Sequence, residues 1–153
     1  MVTTKYFKKL SVCCGIILCL LVLSCDKDSE NPNTPSVYIN IEIDPNSTMY
    51  QELNTVSGWM YLTATTPSRG IIVYRYSMDE FIAYERTPPN EPDNCCDDNG
   101  NCSRLVVDFP FVVDECNNIR YNILNGGIVE GSGRYPLIEY RTTYNGNILR
   151  IYN

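Results

Sequence analysis

Gly70-Ile-Ile-Val-Tyr-Arg-Tyr-Ser-Met-Asp-Glu-Phe-Ile-Ala-Tyr-Glu-Arg86 holds two short runs of β-branched and aromatic residues on either side of Met78-Asp79-Glu80. Such residues suit a pleated, half-buried surface, so the stretch reads as two strands joined by a tight turn. Upstream, the turn Thr66-Pro67-Ser68-Arg69 separates it from a further strand, Gly58–Thr63, and Val37–Ile43 alternates until Asp44-Pro45-Asn46. Downstream come Leu105–Phe109, Ile119–Leu124 and Ile128–Glu130, divided by loops that carry Gly126, Gly127, Gly131 and Gly133. The chain closes with Leu137–Tyr144, Asn145-Gly146 and Ile148–Tyr152, and Asn-Gly between alternating runs is a strong hairpin signal. No sustained helical period appears after residue 36. The expected class is all-β, with short antiparallel strands in a small sandwich or barrel.

The N-terminus carries a different signal. Lys5, Lys8 and Lys9 precede an apolar run, Leu10–Leu23, of 14 residues. That is short of the ~20 residues a membrane-spanning helix needs, and it matches the apolar region of a secretory signal. Val22-Leu23-Ser24 before Cys25 resembles a lipobox. Residues 1–24 are therefore expected to be a lipoprotein signal and Cys25 the lipidated N-terminus, with multiple acyl chains giving stable membrane anchoring. Residues 25–36 read as the lipidated cysteine and a flexible tether, leaving 37–153 as the β domain. The acids Asp26, Asp28 and Glu30 resemble the export signal of surface lipoproteins in the Bacteroidetes group, which implies an outer-membrane, surface-exposed location.

Loss of the signal removes three lysines and no acid, taking the net charge from −6 to −9. With no basic patch to displace counterions, nucleic acid is not an expected partner. The chain has no histidine. Serine–histidine and cysteine–histidine catalysis and histidine-containing zinc sites are thereby excluded. Apart from Cys25, the mature chain has four cysteines, Cys95, Cys96, Cys102 and Cys116. An even number in an exported domain suggests two disulfides, with three connectivities open. An all-thiolate metal site is disfavoured, because adjacent cysteines seldom face one ion and no Cys-x-x-Cys pair occurs.

The order of features resembles a known family. Gly70–Arg86 is similar to the strand pair leading into the first cluster-binding loop of Rieske iron–sulfur domains. Tyr121-Asn-Ile-Leu-Asn-Gly126, then Glu130-Gly-Ser-Gly-Arg-Tyr-Pro-Leu137 and Tyr140, resembles the stretch after the second loop. The likeness covers most of residues 56–153, with 37–55 adding a strand. A Rieske [2Fe-2S] cluster needs Cys-x-His in one loop and Cys-x-x-His in the other. The resemblance places the first pair on Pro88 and Asn90 and the second on Asp114 and Asn117, so none of the four is a family ligand. It thus implies a cluster-free domain with no cofactor. Some members carry a further cysteine in each loop, joined as a disulfide. Cys116 occupies that position in the second loop, which implies a bond from Cys116 to Cys95 or Cys96, with the other closing a small loop on Cys102.

Asp93–Asn101 is rich in oxygen donors but does not fit the calcium-loop spacing, and a solvated turn is expected. Trp59 and Phe81 are expected in the core. Asp114 and Glu115 read as surface acids, and the sequons at Asn46 and Asn101 as chance. The functional expectation is a non-catalytic structural or binding module at the cell envelope, with loop tips at 87–103 and 110–118 facing an envelope protein partner. The alternative is a redox protein using thiol–disulfide chemistry at Cys95, Cys96, Cys102 and Cys116, or electron transfer through a nonstandard metal centre.

Overall fold

A computed structural model describes residues 31–153 of the chain. The signal over 1–24, Cys25 and the tether up to Glu30 lie outside the described residues. Ten strands follow one another in the described part: β1 (Asn40–Ile43), β2 (Trp59–Leu62), β3 (Ile71–Arg75), β4 (Phe81–Glu85), β5 (Val106–Asp108), β6 (Phe111–Asp114), β7 (Ile119–Asn122), β8 (Ile128–Glu130), β9 (Glu139–Tyr144) and β10 (Leu149–Tyr152). The domain is all-β, as expected. Six strands form one antiparallel sheet in the order β1-β10-β9-β4-β3-β2, and the other four a second in the order β5-β6-β7-β8. Short 3-10 segments at Thr48–Leu53 and Pro92–Cys95 are the helical exceptions among the described residues.

The run that opens the reading is the centre of the structure. β3 and β4 pair from Ile71↔Glu85 to Arg75↔Phe81. Every residue of β3 is buried, because both faces of this part of the sheet are covered. Ile71 and Val73 point into one apolar cluster with Phe81, Ala83, Leu149 and Ile151. Ile72 and Tyr74 point the other way, into a cluster with Tyr84 of β4 and with Leu105, Val112, Ile119 and Tyr121 from the region of the second sheet. The period-two geometry of a strand turns this uninterrupted apolar run into two cores. Fully burying one such aliphatic side chain contributes about 1.5–3 kcal/mol. Phe81 lies in the first core, as expected, while half-buried Trp59 packs against the second and meets Tyr61 edge-on.

One expectation needs correction. The span 110–118 is not a loop throughout, because Phe111–Asp114 is β6, paired with both β5 and β7. The true tip is the turn at Glu115–Asn118.

The Tyr84 hydroxyl is buried and has no hydrogen-bond partner among the described residues. Burial, with Glu139 nearby, raises its phenol well above the ordinary range. A buried unpaired hydroxyl costs ~1–3 kcal/mol. Tyr84→Phe is therefore expected to leave the melting temperature unchanged or raise it, and calorimetry showing a fall of several degrees would contradict that assignment.

Candidate functional site

The site begins at a carboxylate. Glu85, at the end of β4, is fully buried. Its Oε1 accepts from Arg69 N (2.9 Å), Thr87 N (2.8 Å) and Thr87 Oγ1 (2.7 Å), and Oε2 from the hydroxyls of Ser68 (2.6 Å) and Tyr140 (2.6 Å). Five donors on one side chain tie the turn before β3, the start of the first loop and β9 to a single point. Burial and the contact with Glu85 raise the Tyr140 phenol above its ordinary range, so it remains a donor.

From that base the first loop runs out through Pro88, Pro89 and Asn90, all buried, and returns to Leu105, whose N–H donates to Arg86 O at 2.9 Å. Disulfides join Cys95 to Cys116 and Cys96 to Cys102. This is one of the two pairings the family resemblance left open. The first bond ties the two loops together, and the second closes a small hairpin. Arg69 clamps that hairpin from the side, donating to Ser103 O (2.8 Å) and Pro92 O (3.1 Å). Burial lowers the pKa of this guanidinium, and Asp93 partly offsets it. Within the hairpin, Asp97 accepts from Asn99 N, Asn101 N and Asn101 Nδ2. These bonds hold its carboxyl below the usual range. The carboxylate is engaged in shaping the turn, in keeping with the solvated-turn reading. The two sequon amides are occupied as well, Asn46 Nδ2 with Tyr144 OH and Asn101 Nδ2 with Asp97.

Between the loops lies a polar cross-link. Asn90 Nδ2 donates to Tyr121 OH (3.0 Å) and Tyr135 O (2.9 Å), while its Oδ1 accepts from Arg134 N (2.8 Å) and Tyr135 N (2.9 Å). Burial pushes the Tyr121 phenol up to about 12, so it stays neutral and able to accept from the amide. Across the gap, Asn117 Nδ2 lies 2.7 Å from Asn90 O, 2.9 Å from Asp114 Oδ2 and 3.3 Å from Cys95 Sγ. Asp114 Oδ1 accepts from Asn117 N at 3.1 Å. Asp114 is buried, which corrects its reading as a surface acid, while Glu115 is exposed as expected.

The backbone is bent hard beside each cross-linking asparagine. Glu91 (φ 45°) and Asn118 (φ 53°) occupy the left-handed region, one residue after Asn90 and Asn117 respectively. A non-glycine residue there costs roughly 1–2 kcal/mol. Gly133 completes the close approach, since a Cβ at that position would sit 2.9 Å from Asn90 Nδ2. The outer side of the cross-link is a polar cleft of about 540 Å³, lined in part by Asn33, Asn90, Asn117 and Arg134. Asn31 and Asn33 both donate to Pro89 O, at 3.0 and 2.9 Å, so the described chain begins at this same end of the domain.

No protein-family model matches the chain, and no curated protein is significantly similar to it. The fit of a Rieske cluster is decided by the residues themselves. The chain has no histidine, and Pro88 has no side-chain donor atom. Both amide atoms of Asn90 are spent on Tyr121 and the 134–135 backbone. Asn117 and Asp114 bond to each other. These positions do not fit the cluster. Three of the four come together all the same, as a hydrogen-bonded bridge between the loops. The family resemblance pointed to those positions but not to their roles, which depend on backbone partners far away in the chain.

Among the described residues, no helix is long and apolar enough to cross a membrane.

Proposed function

We propose that this chain is a lipid-anchored envelope protein whose cluster-free Rieske-like domain serves as a structural or binding module without catalysis. The observation that carries this reading is the cross-link at Asn90, Asn117 and Asp114. In a Rieske domain the corresponding positions hold iron, whereas here they hold the loops to each other. The result is a rigid, polar end, suited to presenting a contact surface. Rigid loops lose little entropy on association, which favours recognition.

Lipidation of Cys25 would place that end near the bilayer. Cys25 precedes Asn31 by six residues, a contour of at most roughly 20 Å. Asn31 is fastened to Pro89 in the first loop. The partner class that suits this arrangement is a protein in or on the same membrane. The acids at Asp26, Asp28 and Glu30 suit export to the outer-membrane surface.

The anchor is tested by expressing the full chain in a bacterium with its own lipoprotein-processing enzymes, fed an alkyne-bearing palmitate. The expected product is labelled and begins at Cys25, while Cys25→Ala is unlabelled and keeps the 24-residue signal. Equal labelling of both proteins, or a mature N-terminus elsewhere, would contradict the proposal.

A further inference from the structure

We infer that reduction of the Cys95–Cys116 bond opens a site for a soft divalent cation of the zinc class, held by the two sulfurs and the Asp114 carboxylate. The three donor atoms lie within 4.8 Å of one another. On a tetrahedral zinc ion, with Zn–S near 2.3 Å, two thiolates stand about 3.8 Å apart. Small side-chain rotations therefore suffice once the covalent bond is gone.

Asp114 is the unusual member. It is 1% exposed, yet its oxygens accept hydrogen bonds only from Asn117 and it forms no ion pair among the described residues. A carboxylate has about four acceptor positions, so Asp114 keeps capacity on a side shared with the sulfurs. Asn117 Nδ2 donates toward Asp114 and lies 3.3 Å from Cys95 Sγ, which orients two of the three donors. Second partners of this kind are what fix the ligands of metal sites.

The loops do not depend on the disulfide alone to stay adjacent. Asn117 still reaches Asn90 O, and Asn90 still makes four bonds to Tyr121, Arg134 and Tyr135. The sulfurs of the reduced protein therefore remain opposite each other beside Asp114. Two sulfurs and one carboxylate suit zinc or cadmium and disfavour calcium and magnesium, which prefer all-oxygen sites. The fourth position falls to water.

The chemistry balances simply. A dithiol reductant gives two electrons and two protons to the Cys95–Cys116 bond, yielding two thiols and its own disulfide. Entry of the cation then releases the two thiol protons. The oxidised protein cannot offer the site.

The test uses the mature full-length protein in detergent, carrying Cys96→Ser and Cys102→Ser so that one cysteine pair remains besides the anchor. Zinc is titrated into the oxidised protein and into protein reduced with a phosphine, and bound metal is counted after dialysis. One zinc per chain, only after reduction and with about two protons released, is the expected result. Asp114→Asn should weaken binding by 30-fold or more while circular dichroism shows the fold retained. Cadmium added to the reduced, otherwise unaltered protein gives a second measurement that does not depend on those variants folding. Because Cys96 and Cys102 are also freed there, the reading is the part of the sulfur-to-metal absorption lost in Cys116→Ala, which should correspond to two thiolates. No zinc binding after reduction, equal binding by the oxidised form, or indifference to Asp114→Asn would overturn the inference.

Discussion

Glu85→Ala should destabilise the domain by about 3–5 kcal/mol, the largest loss expected from any single substitution outside the cysteines. The change strands five donors in a region closed to water: the amides of Arg69 and Thr87 and the hydroxyls of Ser68, Thr87 and Tyr140. Each lost partner leaves a desolvated group, and the cavity adds to the cost. Glu85→Gln should fall between, at about 2 kcal/mol, because its amide nitrogen would face donors where an oxygen now accepts. Urea unfolding of the three proteins measures the order. A Gln variant as stable as the parent would show that shape, and not acceptor chemistry, matters at this position. An Ala variant within 1 kcal/mol of the parent would refute the five-donor description.

The second large effect concerns the disulfides, and the two bonds should not be equal. Cys95 and Cys116 are 21 residues apart, and Cys96 and Cys102 only 6. Constraint of the unfolded chain alone is worth about 3.3 kcal/mol for the longer loop and about 2.2 kcal/mol for the shorter. Cys95→Ala with Cys116→Ala should therefore cost more than Cys96→Ala with Cys102→Ala, read again as the unfolding midpoint. The first pair of substitutions should still leave a folded domain, since the Asn90 and Asn117 bonds remain. Reversal of the order, or loss of the fold when Cys95 and Cys116 are replaced, would contradict the role given to the asparagine bridge.

The sequence made the strands legible where they were long enough to show a pattern. Ile71–Arg75, Phe81–Glu85, Glu139–Tyr144 and Leu149–Tyr152 all fall inside the runs that composition and turn residues marked out. β6, no shorter than β10, was hidden because Phe111-Val-Val-Asp114 does not alternate and the family resemblance placed a loop there. The double core was hidden for a related reason. Ile-Ile-Val-Tyr announces burial but cannot say that a second sheet covers the other face.

The site was legible only in outline. Spacing alone left three cysteine connectivities, and the resemblance to Rieske domains narrowed them to two, of which the structure has one. The asparagine bridge could not be read at all. Its partners lie 27, 31 and 45 residues from Asn90, and most are backbone atoms that carry no side-chain signature. Glu85 was equally silent. An acid at the end of a strand looks like a surface residue until three separate segments bring five donors to it.

The cluster-free reading is tested most directly by iron and acid-labile sulfide analysis of the full-length protein purified anaerobically from its native cells, with electron paramagnetic resonance after dithionite reduction. The account predicts neither iron nor sulfide in stoichiometric amount and no Rieske-type signal. Two irons and two sulfides per chain, with such a signal, would contradict it.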